Sequence, residues 1–379
     1  MLALLAAELL ARRAFPSPRD YYILPPRLEQ TFRPRPEIMP GVSGPSLYRT
    51  SSLGLRGDEP AADAAPRVVT VGGSTTECLY LDQAEAWPQL VQELLRTCAP
   101  HTWIGNAGRS GHTTREHVLQ IEHIVSRQPR PQLLLLMAGV NDLCKRLAQD
   151  AAYDPRTMEQ PQARRELVVS AFSVLPDGPQ SNLPWHKQTA LWRLASYLRA
   201  RYTSDPRVQK TTGEIYLEWR RRRREASAWR DELPDLGPAL VEFRANLTSC
   251  IRSARASGAQ IVLLDQPALW RTDLPAELEA RLWMGGVGEY TSVDGCEYYT
   301  VNALARGLAL YNAAVAEVAA AEGLPCLTLS NQLSGDGRLF YDDVHFTEEG
   351  ARVVAALVAQ ALATRPPFAS VPAGGDQGQ

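Results

Sequence analysis

Neither acidic nor basic residues are in marked excess in this sequence, which removes any global reason to bind nucleic acid or an anionic membrane. Forty Lys and Arg stand against 42 Asp and Glu, a formal net charge of -2. Cysteine is sparse as well. Cys78, Cys98, Cys144, Cys250, Cys296 and Cys326 form no C-x-x-C pair and no short Cys/His spacing of the kind that holds zinc. A domain this long does not need disulfides, so most of the six are expected to be buried thiols. The apolar start, MLALLAAELLARRAF, is too short for the ~20 residues that cross a bilayer. It is interrupted by Glu8, lacks a basic leading segment and runs into Arg12 and Arg13. The expectation is an amphipathic helix packed on a cytoplasmic protein, with a truncated anchor or an atypical signal as the alternatives.

What is present is enough apolar residue, 45% of 379, to build a sizeable core. Residues 16–66 are rich in proline and arginine without periodicity, so residues 1–65 read as a helix followed by an extended arm. From Val68 the rhythm changes. RVVTVGG, TWIGNAG, PQLLLLMAGVND, AQIVLLDQP and LPCLTLS read as five buried strands, separated by stretches with helical spacing such as AWPQLVQELLRTC and TTREHVLQIEHIVSR. Continuous apolar strands alternating with amphipathic helices predict a three-layer α/β/α domain over 66–365 with a five-stranded parallel sheet. Residues from about 143 to 239 break the rhythm and are read as a mostly helical insertion, placed after a strand end where such segments lie over the ligand crevice. Residues 366–379 are composed like disorder.

The stretch VVTVGGSTTECLY, residues 68–80, raises the functional question. A strand, a glycine turn and a helix start can cradle phosphate on backbone N–H groups, cap a helix with Ser74, or lift that serine out for attack. The G-K-[ST] ending of a phosphate loop is absent. Three more stretches fall at strand ends or a helix start: NAGRSGHTT at 106–114, AGVND at 138–142 and YDDVHFTEEG at 341–350. Asp342 and His345 lie three apart, so one short turn can carry a base and its orienting carboxylate toward a serine whose hydroxyl is a poor nucleophile until deprotonated.

In order and content these four blocks resemble those of the SGNH hydrolases, also called the GDSL lipase/esterase family, over most of residues 66–365 apart from the insertion. The resemblance implies a flavodoxin-like fold and a carboxylic ester hydrolase that forms an acyl-enzyme. It implies a Ser74, His345, Asp342 triad and an oxyanion hole from the Ser74 N–H, Gly111 and Asn141, with Gly108 close in register to Gly111. Gly73 stands where the family has Asp. Gly139 is read as the turn that presents Asn141, and Asn106 as the residue that fixes the loop behind the second block. An acyltransferase using the same acyl-enzyme is the first alternative, and a non-catalytic binding domain the second.

No cofactor and no metal are expected, and the partner is a small-molecule, lipid or acetylated-carbohydrate ester. Asp343 reads as an exposed turn residue and Asp142 as a loop acceptor. His112, His117 and His123 read as solvated or packed. The run WRRRRRE at 219–225 reads as a solvated helix face compensated by Glu218, Glu225, Asp231 and Glu232, or as a source of one arginine for a substrate anion. Trp185, Trp192, Trp219, Trp229, Trp270 and Trp283 are expected in the core, some of them lining an acyl pocket.

Overall fold

The structure is a computed structural model that describes residues 2–14, 20–127, 129–176, 189–192, 194–195 and 212–369. Two strands of the arm, β1 (Glu29–Phe32) and β2 (Ser46–Arg49), pair antiparallel. The main sheet follows with β3 (Arg67–Gly72), β4 (Trp103–Asn106), β5 (Leu133–Met137), β7 (Gln260–Leu264) and β9 (Cys326–Leu327), all parallel, in the order β4-β3-β5-β7-β9. A small parallel pair, β6 (Trp229–Arg230) with β8 (Tyr298–Tyr299), lies outside it.

The central strands are buried from end to end because helices cover both faces, which is why LLLLM and VVTV carry no polar alternation. Helix α1 is Leu2–Ala14, and α2 (Ser74–Glu77) is a single turn after β3. Helices α3 (Trp87–Leu95) and α12 (Glu348–Ala363) pack together as one group. Those of the other group are α4 (Thr114–Ser126), α5 (Val140–Gln149), α8 (Gly237–Ala256) and α10 (Val301–Ala321). The remaining helices are α6 (Pro161–Ala171), α7 (Ile215–Arg224), α9 (Ala276–Glu279) and α11 (Ser330–Leu333). This is the α/β fold expected from the sequence. The chain turns from β3 outward to β4 and then back across to β5, so the topological switch point lies between the C-terminal ends of β3 and β5.

The arm is part of this architecture. Arg56 exchanges two backbone hydrogen bonds of 2.8 Å with Asn106 at the end of β4, continuing the sheet edge. Its side chain is wholly buried and donates to the carbonyls of Glu77 and Cys78 (2.6 Å each) at the end of the one-turn helix and to that of Leu81 (2.7 Å) just beyond it.

Three sequence expectations need correction. Only Cys78, Cys144 and Cys250 of the six free thiols are buried; Cys98 is exposed, and Cys296 and Cys326 are half-buried near the surface. Helix α1 forms, yet Leu9 and Leu10 are 63% and 69% exposed while Ala11 is buried, so its packed stripe is narrow. No helix among the described residues is long and apolar enough to cross a membrane.

The arginine run is the third correction. Arg221 and Arg222 do pair at the surface with Glu218 and Asp294. Arg220 and Arg223 are buried instead. Arg220 donates to the carbonyls of Ile38 (2.7 Å), Arg281 (2.9 Å) and Tyr341 (3.1 Å), and Arg223 to those of Met284 (2.6 Å) and Tyr299 (3.1 Å). Helical spacing puts residues three apart on one face, and that face is pressed against loops whose carbonyls have no strand to bond. Trp185 and the tail beyond residue 369 lie outside the described residues.

Arg220→Met should destabilise the fold by about 3 kcal/mol, since it strands three buried acceptors, whereas exposed Arg224→Ala should stay within about 0.5 kcal/mol. Urea unfolding of the two variants checks this.

Candidate active site

The nucleophile turn is set by crowding. Strand β3 ends at Gly72, where an added Cβ would lie 2.2 Å from Thr76 Oγ1 and 2.7 Å from the Met137 carbonyl oxygen of the neighbouring strand. At Gly73 it would lie 2.4 Å from Asn141 Nδ2. The chain can therefore turn sharply from strand into α2 only with two residues that have no side chain, and Ser74 is the first residue free to project.

The second block presses on the same turn. Asn106, wholly buried at the end of β4, donates from Nδ2 to the Thr76 carbonyl (2.7 Å) and accepts the Gly108 N–H (2.8 Å). That N–H is therefore committed, and Gly108 packs so tightly that a Cβ would lie 2.3 Å from the Glu77 nitrogen. Gly111 differs in both respects. It has a left-handed φ of +79°, open space beside it, and a place on the cavity wall with Ser74 and Asn141.

Among the described residues neither the Ser74 nor the Gly111 N–H has an acceptor. From the third block, Gly139 (φ +130°) turns the chain into α5. Asn141 then gives one Nδ2 hydrogen to the His112 carbonyl (2.8 Å), leaving the second for a ligand.

The fourth block closes the arrangement. His345 Nε2 lies 2.7 Å from Ser74 Oγ, and its Nδ1 lies 2.7 and 2.9 Å from the two Asp342 oxygens. Asp342 is wholly buried and also accepts the N–H groups of Val344 and His345 and the indole N–H of Trp283 (2.9 Å). Burial alone would raise its pKa. Attraction to the His345 ring and these hydrogen bonds reverse that, so its carboxyl is held below the usual range. Burial likewise opposes charge on His345, but Asp342 outweighs it and holds the imidazole above its ordinary value. Since a carboxylate only accepts, Nδ1 carries the proton and Nε2 is free to accept from Ser74.

The residues predicted for the site thus meet at one place, and two expectations beside them divide. Asp142 is a loop acceptor as expected, bonded by Thr114 N–H (3.0 Å) and Oγ1 (2.6 Å), with burial pushing it up to about 7. Asp343 is not an exposed turn residue. It is fully buried and accepts from the Trp283 N–H (2.7 Å), the Met284 N–H (3.2 Å) and Trp270 Nε1 (2.8 Å), fixing the loop whose indole reaches Asp342. His112 and His117 are packed, not solvated.

Sequence reasoning missed Glu77 and the bond that Trp283 gives Asp342. Glu77 Oε2 accepts the Ser110 N–H (2.7 Å) and hydroxyl (2.6 Å), tying the Gly111 loop to the helix that carries Ser74. An acid three residues after the serine was the available signal. Trp283 had none, because it acts from a loop 59 residues before Asp342.

A cavity of about 450 Å³ opens in front of Ser74. Its walls include Tyr80, Tyr216, Trp219, Trp283 and Tyr290, with Tyr216 and Trp219 coming from α7 of the insertion. Among the described residues no group of His, Cys, Asp or Glu is placed to hold a metal ion.

The sequence profile described as the GDSL-like Lipase/Acylhydrolase family matches residues 70–353. The chain belongs to this family. It is accordingly a carboxylic ester hydrolase of the SGNH/GDSL type. No curated protein sequence matches it.

Solved structures similar to this GDSL-family chain are remote in sequence. An acetylxylan esterase from Geobacillus stearothermophilus shares 13% identity over 78% of this chain and 94% of its own, with a TM-score of 0.40. A GDSL-like lipase from Bacteroides thetaiotaomicron shares 15% over 80% and 91%, with a TM-score of 0.37. An α/β hydrolase enzyme from the metagenome of Lake Arreo, Spain, shares 13% over 81% and 98%, with a TM-score of 0.40.

Gly73→Ala should displace the Asn141 carboxamide from the turn and lower kcat on a chromogenic ester by about 10²-fold. Steady-state kinetics beside the parent measure it.

Proposed function

We propose that this chain cleaves its ester through an acyl-enzyme on Ser74. The observation that carries the reading is the unbroken line Ser74 Oγ, His345 Nε2, His345 Nδ1, Asp342, with 2.7 Å at each junction. His345 takes the proton as Ser74 Oγ attacks the ester carbonyl carbon, and Asp342 stabilises the imidazolium that forms. The carbonyl oxygen becomes an oxyanion facing the Ser74 and Gly111 N–H groups and the free Nδ2 hydrogen of Asn141. One such donor typically contributes about 2.7 to 4 kcal/mol to lowering the barrier.

His345 then protonates the departing alcohol, leaving Ser74 acylated. A water enters, His345 removes its proton, and a second tetrahedral intermediate collapses to the acid and free Ser74. Tyr341 stacks on the imidazole at 5.5 Å between ring centroids and 10° between planes, limiting the ring's rotation during these transfers. The aromatic cavity is large enough for an acyl or aryl group of the ester beside this centre.

Ser74→Ala should abolish covalent labelling by a fluorophosphonate and lower ester turnover by at least about 10³-fold, with intact far-UV circular dichroism. Labelling of the variant at the parent's rate would overturn the assignment.

The base must be neutral to act, so kcat/KM should rise with pH through the His345 titration, with a midpoint above about 6.5 because Asp342 favours the charged ring. Asp342→Asn should move that midpoint down and lower the plateau by about 10³- to 10⁴-fold. A pH–rate profile of both proteins reads both effects.

A further inference from the structure

The cavity in front of Ser74 has aromatic and apolar walls, and among the described residues one fixed charge lines it. Of its lining residues, Lys145 alone is a lysine, arginine, aspartate or glutamate. It follows Asn141 by four positions on α5, so the two side chains stand one above the other on one helix face, about 5 to 6 Å apart at Cβ. Cys144 and Ala148 line the cavity from the same helix.

Among the described residues the Lys145 ammonium makes no hydrogen bond or ion pair. Burial opposes charge on Glu116, but His112 and, after it, Lys145 help hold that carboxyl below the usual range. That carboxylate lies beyond ion-pair distance and is already engaged by the Thr113 N–H (3.0 Å) and hydroxyl (2.7 Å). Nearby arginines are committed elsewhere. Arg146 donates to the Asp150 and Asp235 carbonyls, Arg109 to that of Ile23, and Arg220 and Arg223 to the carbonyls already described.

An ammonium group carries three donors and is strongly hydrated. Lys145 is half-buried and has no acid in direct contact, so an anion entering the recess can answer its charge more fully than the residues around it do. Acidic lining residues would repel an anion there, and among the described residues the cavity has none.

We propose that Lys145 binds an anionic group of the substrate, a carboxylate or a phosphate, carried on the same molecule as the ester that Ser74 attacks. This rests on the ester-hydrolase reading of the site. One helical turn separates Lys145 from Asn141, so the anion lies roughly 6 to 10 Å from the scissile carbonyl, the span of one ring or a short chain. Trp219 and Trp283, with ring centroids 4.4 Å apart, form the wall beside that span.

The test separates binding from turnover. Ser74→Ala and Ser74→Ala/Lys145→Met are titrated calorimetrically with 4-acetoxybenzoate, 4-acetoxyphenyl phosphate and the neutral methyl 4-acetoxybenzoate. At least one anion should bind Ser74→Ala about 10-fold more tightly than the neutral ester, and the preference should vanish with Lys145→Met and return in part with Lys145→Arg. Which of the two anions binds better distinguishes carboxylate from phosphate. Equal affinity for anions and neutral ester, the same preference in the Met variant, or no anion binding up to about 10 mM each overturns the proposal.

The wild-type enzyme is assayed in parallel on all three esters. Anion binding that depends on Lys145 without hydrolysis of any ester would leave the anion site standing and remove the ester reading.

Discussion

Everything at the site depends on the lack of room around residues 72–74. Three separate elements close on that turn: the Met137 carbonyl of β5 against Gly72, the Asn141 carboxamide against Gly73, and Gly108 against the backbone of α2. The contacts are reciprocal. Because Gly73 has no side chain, Asn141 can rest against the turn that carries Ser74, and because Gly108 has none, the Gly111 loop can do the same from the other side. Ser74, Gly111 and Asn141 are thus registered to each other by steric contact, which is stiffer than a set of surface hydrogen bonds would be.

This explains the one departure from the family pattern. Where the family has Asp beside the nucleophile, Gly73 stands here, and the space an Asp Cβ would need is held by Asn141 Nδ2. Glu77, still on α2, reaches across to Ser110 and ties down the same loop.

The sheet, its order of strands and helices, and the four blocks were legible because each rests on local patterning. Buried strands read as LLLLM and VVTV whatever surrounds them, and glycine turns announce themselves. Asp343, Arg220 and Arg223 were misread for the opposite reason. Charged residues default to solvent, and what buries these three is a set of loop carbonyls and N–H groups around 281–284, 299 and 341 that no local window contains. The bond of Trp283 to Asp342 and the place of Lys145 on the cavity wall were invisible on the same ground: both come from residues far off in the chain. The choice between Gly108 and Gly111 was open in sequence and turned on which N–H was already taken.

Arg56 and Tyr48 extend this beyond the region that the family profile matches. Arg56 ends the helix that carries Ser74, and Tyr48, stacked under its guanidinium at 4.6 Å, donates its hydroxyl to Glu77 at 3.2 Å. Both precede residue 70, where the match begins. The unit that works here is therefore larger than the region the family profile matches: a segment that precedes it completes the scaffold that holds Ser74.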